Sequence, residues 1–216
     1  MAAVDRDYDP IHPRGTDWRG LFRRIWAPIG AAIVLLAKFS FAALKFFSIF
    51  ISVAAYSLIW GWRFAVGFVL LILVHELGHF FEARRQGLDV TLPTFIPFFG
   101  AFVLIKNAPL NPWRNALVAL AGPALGAVGA AVCWAIGNAI DSDLFRALAY
   151  AGFLINLINL IPVGILDGGA VWRSARWLRL GGGRNKALLV YVVYGATAVA
   201  LAVGMYASYV PRSRVS

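Results

Sequence analysis

Two histidines and a glutamate, His75, Glu76 and His79, stand within the strongly apolar stretch LLILVHELGHFFEARR (70–85). On an α-helix, residues four apart lie about 40° from each other around the axis and roughly 6 Å along it. Both imidazoles would therefore share one helix face and could hold a single Zn²⁺ ion. Glu76 would point partly sideways, where it can take a proton from a water molecule at the metal without becoming a ligand.

A simpler alternative is that the two histidines only form hydrogen bonds within a packed interior. The H-E-x-x-H spacing has a false-positive rate of its own. Three ionisable groups in one apolar helical turn are costly, however, and such groups are rarely kept without a partner or a use. The stretch therefore predicts two zinc ligands, His75 and His79, and one general base, Glu76.

The third zinc ligand is predicted to be a carboxylate, because a catalytic zinc site uses three protein ligands and leaves a fourth position for water. The remaining histidine, His12, lies in the polar N-terminal segment. Asp167 is embedded in the apolar NLINLIPVGILDGGAVW (156–172), where Pro162 and Gly164 should interrupt the helix and let the carboxylate turn inward. The other carboxylates are expected elsewhere: Glu82 in an ion pair with Arg85 at a helix end, and Asp89, Asp141 and Asp143 in polar loops.

The composition is that of a membrane protein. Of the 216 residues, 61% are hydrophobic and 14% are charged, and the mean hydropathy is +0.74; ordinary globular domains are roughly 45–50% apolar and about 25% charged. The single cysteine, Cys133, excludes an internal disulfide framework and a multi-cysteine metal site. The net charge of +10 is better explained by membrane orientation than by nucleic acid, because no basic run is long enough for a nucleic-acid footprint.

Several apolar runs are long enough to cross a bilayer, which takes roughly 20 residues. A further stretch, 27–42, is interrupted by Lys38 and followed by Lys45, so it is either a sixth span or a helix in the membrane interface. The distribution of Lys and Arg favours the interfacial helix, and it places the N-terminus and the loops after the second and fourth spans in the cytoplasm. The five predicted spans are 43–61, 64–84, 114–138, 146–166 and 187–208.

These elements predict an all-α multi-pass membrane protein with five or six transmembrane helices. A polar N-terminal segment (1–26) and a C-terminal tail (211–216) should flank one membrane-embedded domain (27–210), whose core is 64–172. Segment 88–108 contains prolines that do not suit a spanning helix, and its Val, Thr, Phe and Ile favour strand. It is expected to form a small β-hairpin or a re-entrant segment, with a plain lipid-surface loop as the alternative.

Two further features of the later helices concern helix packing and substrate binding. Gly122, Gly126 and Ala130 recur every four residues and should let a neighbouring helix approach closely. Asn159 and Asn156 are amides in an apolar setting, which could bind a substrate backbone or an oxyanion, or could only join two helices. The functional interpretation is favoured more for Asn159 than for Asn156.

Three motifs in this order resemble the site-2 protease family of intramembrane zinc metalloproteases, in a minimal form without a PDZ domain. They are HELGH (75–79), AGP (121–123) and NLIPVGILDGG (159–169). The resemblance implies that His75, His79 and Asp167 bind one Zn²⁺ ion, that Glu76 is the general base and that Asn159 helps to hold the substrate or the transition state.

The resemblance also implies that segment 91–106 is the family's membrane-associated β region, which receives an unwound substrate by strand addition. Phe95, Gly100 and Phe102 are the candidate substrate contacts. The chain departs from the family pattern at Gly126, where asparagine is frequent, and at Ala170, where arginine is frequent. Neither position is a predicted ligand, so only local packing is put in doubt.

The expected function is zinc-dependent cleavage of transmembrane protein substrates within a lipid bilayer, in the inner membrane of a bacterium and near its cytoplasmic face. No nucleic-acid partner is expected, and the oligomeric state stays open. A non-catalytic zinc-binding adaptor is one alternative, but such a protein would have no use for Glu76. A metal transporter is another, but it would be expected to show internal repeats with paired broken helices.

Overall fold

The structure is a computed structural model that describes residues 18–106 and 111–209, without several of the side chains between 18 and 46. The predicted C-terminal tail, most of the polar N-terminal segment and His12 lie outside this description. The chain divides between Ala43 and Leu44 into two compact units, and the elements that form the candidate site belong to the second. The described residues form six helices and one small sheet: α1 (Trp18–Trp60), α2 (Trp62–Arg85), β1 (Thr94–Ile96), β2 (Gly100–Phe102), α3 (Pro112–Ala139), α4 (Asp143–Asn159), α5 (Asp167–Leu180) and α6 (Arg184–Ala207).

Three of the described helices, α2, α3 and α6, are long and apolar enough to cross a membrane, as judged by length and composition. A shorter apolar helical stretch covers Phe47–Trp60. The mostly helical fold with a small sheet is as predicted, whereas the predicted number of spans is not confirmed by these helices.

Helix α1 differs from the sequence-based prediction, because the stretches 27–42 and 43–61 form one continuous helix, Trp18–Trp60. The prediction separated them between residues 42 and 43, because Lys38 interrupts the first stretch and Lys45 closely follows it. A charged side chain changes where a helix can lie relative to a bilayer, but it leaves the backbone hydrogen bonds intact. The helix ends only at Gly61, whose φ of 78° is the left-handed conformation that glycine adopts without strain.

Helix α2 carries the H-E-x-x-H motif, and its end is defined by the sequence. The last turn contains Arg84 and Arg85, whose charges favour the negative end of the helix dipole. The Gly87 N–H donates to the Arg84 carbonyl at 2.9 Å and the Leu88 N–H to the Ala83 carbonyl at 3.0 Å. This is the hydrogen-bond pattern of a Schellman cap. The predicted pair is also present, since Arg85 donates twice to Glu82 at 2.7 Å.

The predicted hairpin is confirmed in the segment that follows α2. Strands β1 and β2 pair antiparallel, with Phe95 opposite Ala101, and a bridge between Val90 and Ile105 extends the pairing. The Phe95 N–H donates sideways to Ser48 Oγ at 3.1 Å, away from β2. In an antiparallel pair, a residue whose N–H points away faces a partner whose N–H and C=O also point away. The Ala101 backbone groups therefore point to the outer edge of β2.

The predicted fourth span is interrupted as the sequence indicated, because α4 ends at Asn159 and α5 begins at Asp167. Between them, Pro162 cannot continue a helix and Gly164 has a φ of 55°. Residues 160–166, the last part of the predicted span 146–166, are therefore a bent connection. The break places Asp167 in the first turn of a new helix.

Helices α2 and α3 approach each other closely at Gly78. A Cβ atom at this position would lie 2.2 Å from the Ala121 carbonyl oxygen, which is a backbone atom and cannot move aside cheaply. The approach brings the histidine face of α2 against the α3 residues around Gly122. Gly78 was not among the small residues predicted for helix packing, but it meets one of them, since the same Cβ atom would lie 2.9 Å from the Gly122 Cα atom.

Replacement of Gly78 by Ala is expected to destabilise the protein by roughly 1–3 kcal/mol, the usual effect of overpacking a closely packed contact. The measurement is the thermal unfolding midpoint of the purified protein in detergent. Gly195→Ala is the matched control, because a Cβ atom there meets nothing within 4 Å. The control should be neutral or slightly stabilising; an equal effect of both variants would contradict the close approach.

Candidate metal centre

Three potential metal ligands from two distant parts of the sequence meet in the interior. His75 Nε2 and His79 Nε2 lie 3.2 Å apart. Asp167 Oδ2 lies 3.2 Å from His75 Nε2, and Asp167 Oδ1 lies 3.3 Å from His79 Nε2. Both histidines are buried, and the aspartate is half-buried. The spacing of His75 and His79 on α2 does bring the two imidazoles to one face, with Asp167 opposite them.

These separations fit a tetrahedral zinc site. Ligand atoms about 2.0–2.1 Å from a tetrahedral ion lie about 3.3–3.4 Å from one another. This is close to the 3.2 Å between the two Nε2 atoms and to the 3.2–3.3 Å from each Nε2 atom to its nearer Asp167 oxygen. Asp167 Oδ2 is buried and has no hydrogen-bond partner among the described residues. A buried carboxylate oxygen in that state is costly, and a cation between the three groups would satisfy it.

The second ring nitrogen of each histidine has an oxygen partner. His79 Nδ1 lies 2.8 Å from the Val118 carbonyl, which can only accept, so Nδ1 carries the hydrogen and donates. His75 Nδ1 lies 2.8 Å from Asn156 Oδ1. In a neutral imidazole the other nitrogen, Nε2, then presents a lone pair. Both Nε2 atoms are thus prepared as ligands, with outer partners of the kind that orient metal-binding histidines.

Helix α3 leaves the space that these rings need. A Cβ atom at Gly122 would lie 2.1 Å from His79 Nε2, and one at Gly126 would lie 2.1 Å from Asn156 Oδ1. The sequence predicted that this stripe of small residues serves helix packing. In the structure the same residues also make room for His79 and for the partner of His75.

Glu76 lies beside the three ligands without joining them. Its Oε1 is 4.0 Å from His75 Nε2, and the side chain is buried. It borders a cavity of about 370 Å³ whose wall also includes His75 and Asn159. A carboxylate at this distance can reach a water molecule next to the metal position, which is the geometry expected of a general base.

Of the residues predicted for substrate binding, two line the cavity and two do not. Asn159 and Gly100 line the cavity beside Glu76. Phe95 is buried in a core cluster with Tyr56, and Phe102 is 44% exposed and is not part of the cavity wall. Their role as substrate contacts stays a prediction. The aromatic residues that do line the cavity were not predicted from the sequence: Tyr56, Trp60, Phe68, Phe98 and Phe99.

Comparison with known proteins identifies the class to which this site belongs. Residues 63–142, which include α2, the hairpin and α3, match the model of peptidase family M50. This part of the chain is similar to family M50 peptidases, which supports the resemblance to the site-2 proteases drawn from the motifs. The match ends before Asp167, so the geometry of the structure connects the third ligand to the other two.

Several curated relatives are named as zinc metalloproteases. The chain is 32% identical over 124 residues to sll0528 of Synechocystis sp., provisionally named a zinc metalloprotease, which covers 55% of this chain and 32% of the relative. It is 32% identical over 125 residues to Rip3 of Mycobacterium tuberculosis, with the same provisional name (54% and 32% covered). It is 28% identical over 129 residues to zinc metalloprotease MJ0392 of Methanocaldococcus jannaschii (57% and 37% covered). The alignments cover about a third of the length of these relatives, and they support a zinc metalloprotease.

The purified protein is expected to bind one zinc ion per chain, because His75, His79 and Asp167 form one tetrahedral ligand set. Asp167→Ala should lower the zinc content measured by elemental mass spectrometry to a small fraction of the wild-type value. Glu82→Gln is the matched control, since it removes a carboxylate from the same α2 helix at a residue that pairs with Arg85. Full zinc occupancy in Asp167→Ala would contradict the assignment of the third ligand.

Proposed function

We propose that the chain is a zinc-dependent intramembrane endopeptidase that hydrolyses peptide bonds within or near the transmembrane segments of other proteins. The observation that carries this proposal is the set of three ligand atoms at tetrahedral spacing with Glu76 beside it, inside an apolar helical protein. A structural zinc site uses four protein ligands and is closed. Three ligands next to a cavity, with a carboxylate that is not itself a ligand, are the arrangement of a hydrolytic site.

The proposed steps assign separate tasks to the ion and to the protein. A zinc ion held by His75, His79 and Asp167 supplies Lewis-acid chemistry, which activates water and polarises a carbonyl group. Glu76 takes a proton from the attacking water as the new C–O bond forms at the scissile carbonyl carbon. It then gives that proton to the amide nitrogen as the C–N bond breaks. Asn159, on the cavity wall, can donate from its amide to the oxygen on which negative charge develops.

The cavity favours an extended, apolar substrate segment. Its wall combines the aromatic side chains of Phe98 and Phe99 with the catalytic groups, so apolar residues next to the scissile bond fit it. A transmembrane helix protects its peptide bonds, and the substrate must therefore unwind locally. Gly100 and Ala101 of β2 also form part of the wall. Because the Ala101 N–H and C=O point to the outer edge of the hairpin, an unwound substrate can add there as a strand.

The proposal includes the arrangement in the membrane. We expect α2, α3 and α6 to cross the bilayer together with the apolar part of α1 and with α4 and its bent continuation, which gives five spans around the core 64–172. The Lys and Arg distribution favours the cytoplasmic face of a bacterial inner membrane for the N-terminus and for the side nearest the metal centre. The partners are a transmembrane protein substrate and lipid, with no nucleic acid.

Replacement of Glu76 by Gln is expected to abolish cleavage while one zinc ion per chain stays bound, because the amide cannot take the proton and is not a ligand. The assay uses the full chain in proteoliposomes with candidate single-span proteins, followed by gel electrophoresis and mass spectrometry of the products. Wild-type protein with and without a zinc chelator provides the reference. Wild-type rates of cleavage by Glu76→Gln would contradict the proposed mechanism.

Replacement of Ala101 by Pro removes the N–H at the outer edge of β2 and is expected to lower cleavage strongly by weakening strand addition. Zinc content should stay at the wild-type value, because neither α2 nor α5 is changed. Ala101→Val is the control, since it adds a side chain but keeps the N–H. Equal cleavage by the Pro and Val variants would exclude strand pairing at this residue.

A further inference from the structure

We infer that Asn156 is a positioning residue for the metal centre, and that the lack of a side chain at Gly126 leaves the space that the Asn156 amide occupies. From α4, Asn156 holds the ring of His75 so that Nε2 faces the metal position. This inference rests on the proposed zinc site, but it concerns a residue that belongs neither to the three ligands nor to the cavity wall. A functional role was predicted for Asn159 more than for Asn156, but the two amides have different surroundings: Asn159 lines the cavity, and Asn156 contacts His75.

The orientation of the Asn156 amide follows from its two hydrogen bonds. The side chain is 1% exposed, so both ends of the amide need partners within the protein. Nδ2 donates to the Gly152 carbonyl at 2.7 Å, and because a carbonyl can only accept, the nitrogen must be the atom on that side. Oδ1 therefore faces His75 Nδ1 at 2.8 Å, and it can only accept a hydrogen bond from that nitrogen.

The consequence for His75 is a defined tautomer and a fixed ring. With the hydrogen on Nδ1, the lone pair of the neutral ring is on Nε2, which lies 3.2 Å from both His79 Nε2 and Asp167 Oδ2. Val118 has the same effect on His79 through its backbone carbonyl. One histidine is thus oriented by a main-chain atom and the other by a side chain. The side-chain partner can be removed or moved by mutation.

Gly126 on α3 is the reason that Asn156 can reach His75. A Cβ atom at 126 would lie 2.1 Å from Asn156 Oδ1 and 2.6 Å from both Cγ and Nδ2. Any larger residue at 126 would therefore displace the Asn156 amide. Conversely, a side chain that begins at 126 enters the volume beside His75 Nδ1. An asparagine at either position, 126 or 156, could therefore place its amide beside His75 Nδ1. This predicts that the asparagine can be moved from position 156 to position 126.

The first test compares zinc affinity in three single variants, measured on the full chain in detergent by competition with a fluorescent chelator. Asn156→Leu removes the acceptor at similar volume and should weaken zinc binding by about 10–100-fold, the usual effect of losing such an outer partner. Asn156→Asp keeps an acceptor oxygen and should retain tight binding. Asn159→Leu is the control one turn away; it should lower cleavage but leave zinc affinity unchanged.

The second test is the exchange itself. Gly126→Asn alone should weaken zinc binding because the two side chains collide, whereas Gly126→Asn combined with Asn156→Ala should regain most of the lost affinity. The visible absorption of the Co²⁺-substituted proteins gives a second readout, since it reports the ligand geometry. Recovery of zinc affinity in the double variant indicates a positioning role for the amide. If the first mutation only disturbed the packing, a second mutation would lower the zinc affinity further.

The outcomes are distinguishable. Wild-type zinc affinity in folded Asn156→Leu overturns the inference. If that variant does not elute as a folded protein in size-exclusion chromatography, the double variant decides, and its failure to regain affinity overturns the inference as well. A wild-type chain that binds zinc but cleaves nothing overturns the proposed function alone, whereas a wild-type chain that binds no zinc overturns both.

Discussion

The structure depends on one electrostatic constraint: two imidazole nitrogens and a carboxylate, all of which carry lone pairs, lie close together in the protein interior. His75 Nε2 and His79 Nε2 lie 3.2 Å apart, and each of them lies 3.2–3.3 Å from one of the two Asp167 carboxylate oxygens. Lone pairs at this distance repel each other in an interior of low dielectric constant unless a cation or a proton lies between them. The hydrogen bonds to the two Nδ1 atoms direct those lone pairs inward, so a divalent cation best stabilises the arrangement.

Several features of the sequence follow from this constraint. The helix α2 must present two residues four apart, and the carboxylate must arrive from another direction, which the break at 160–166 between α4 and α5 allows. The rings then need space, so α3 has glycine where His79 and Asn156 lie against it. The same break leaves Asn159 at the end of α4 on the cavity wall, beside Glu76.

Most of the centre could be predicted from the sequence because its signals are local or follow by elimination. The spacing within HELGH fixes the histidine face, and Asp167 is a carboxylate beside a proline and glycine break in an apolar stretch. The roles of Asn156 and Gly126 could not be predicted, because they depend on which faces of α3 and α4 meet. The continuity of α1 was missed since lysine affects membrane placement but does not end a helix. Phe98 and Phe99 were not among the predicted contacts, because they lie in the turn between β1 and β2 and the sequence pattern does not say where that turn falls.

The measurement that tests the account most directly is X-ray absorption spectroscopy at the zinc edge on the purified full chain. The account predicts a four-coordinate site with two imidazole nitrogens and with oxygen from Asp167 and from water, all at about 2.0–2.1 Å. The Asp167→Ala variant should lose this spectrum. A sulfur ligand at about 2.3 Å, or zinc whose spectrum is unchanged in Asp167→Ala, would contradict the account.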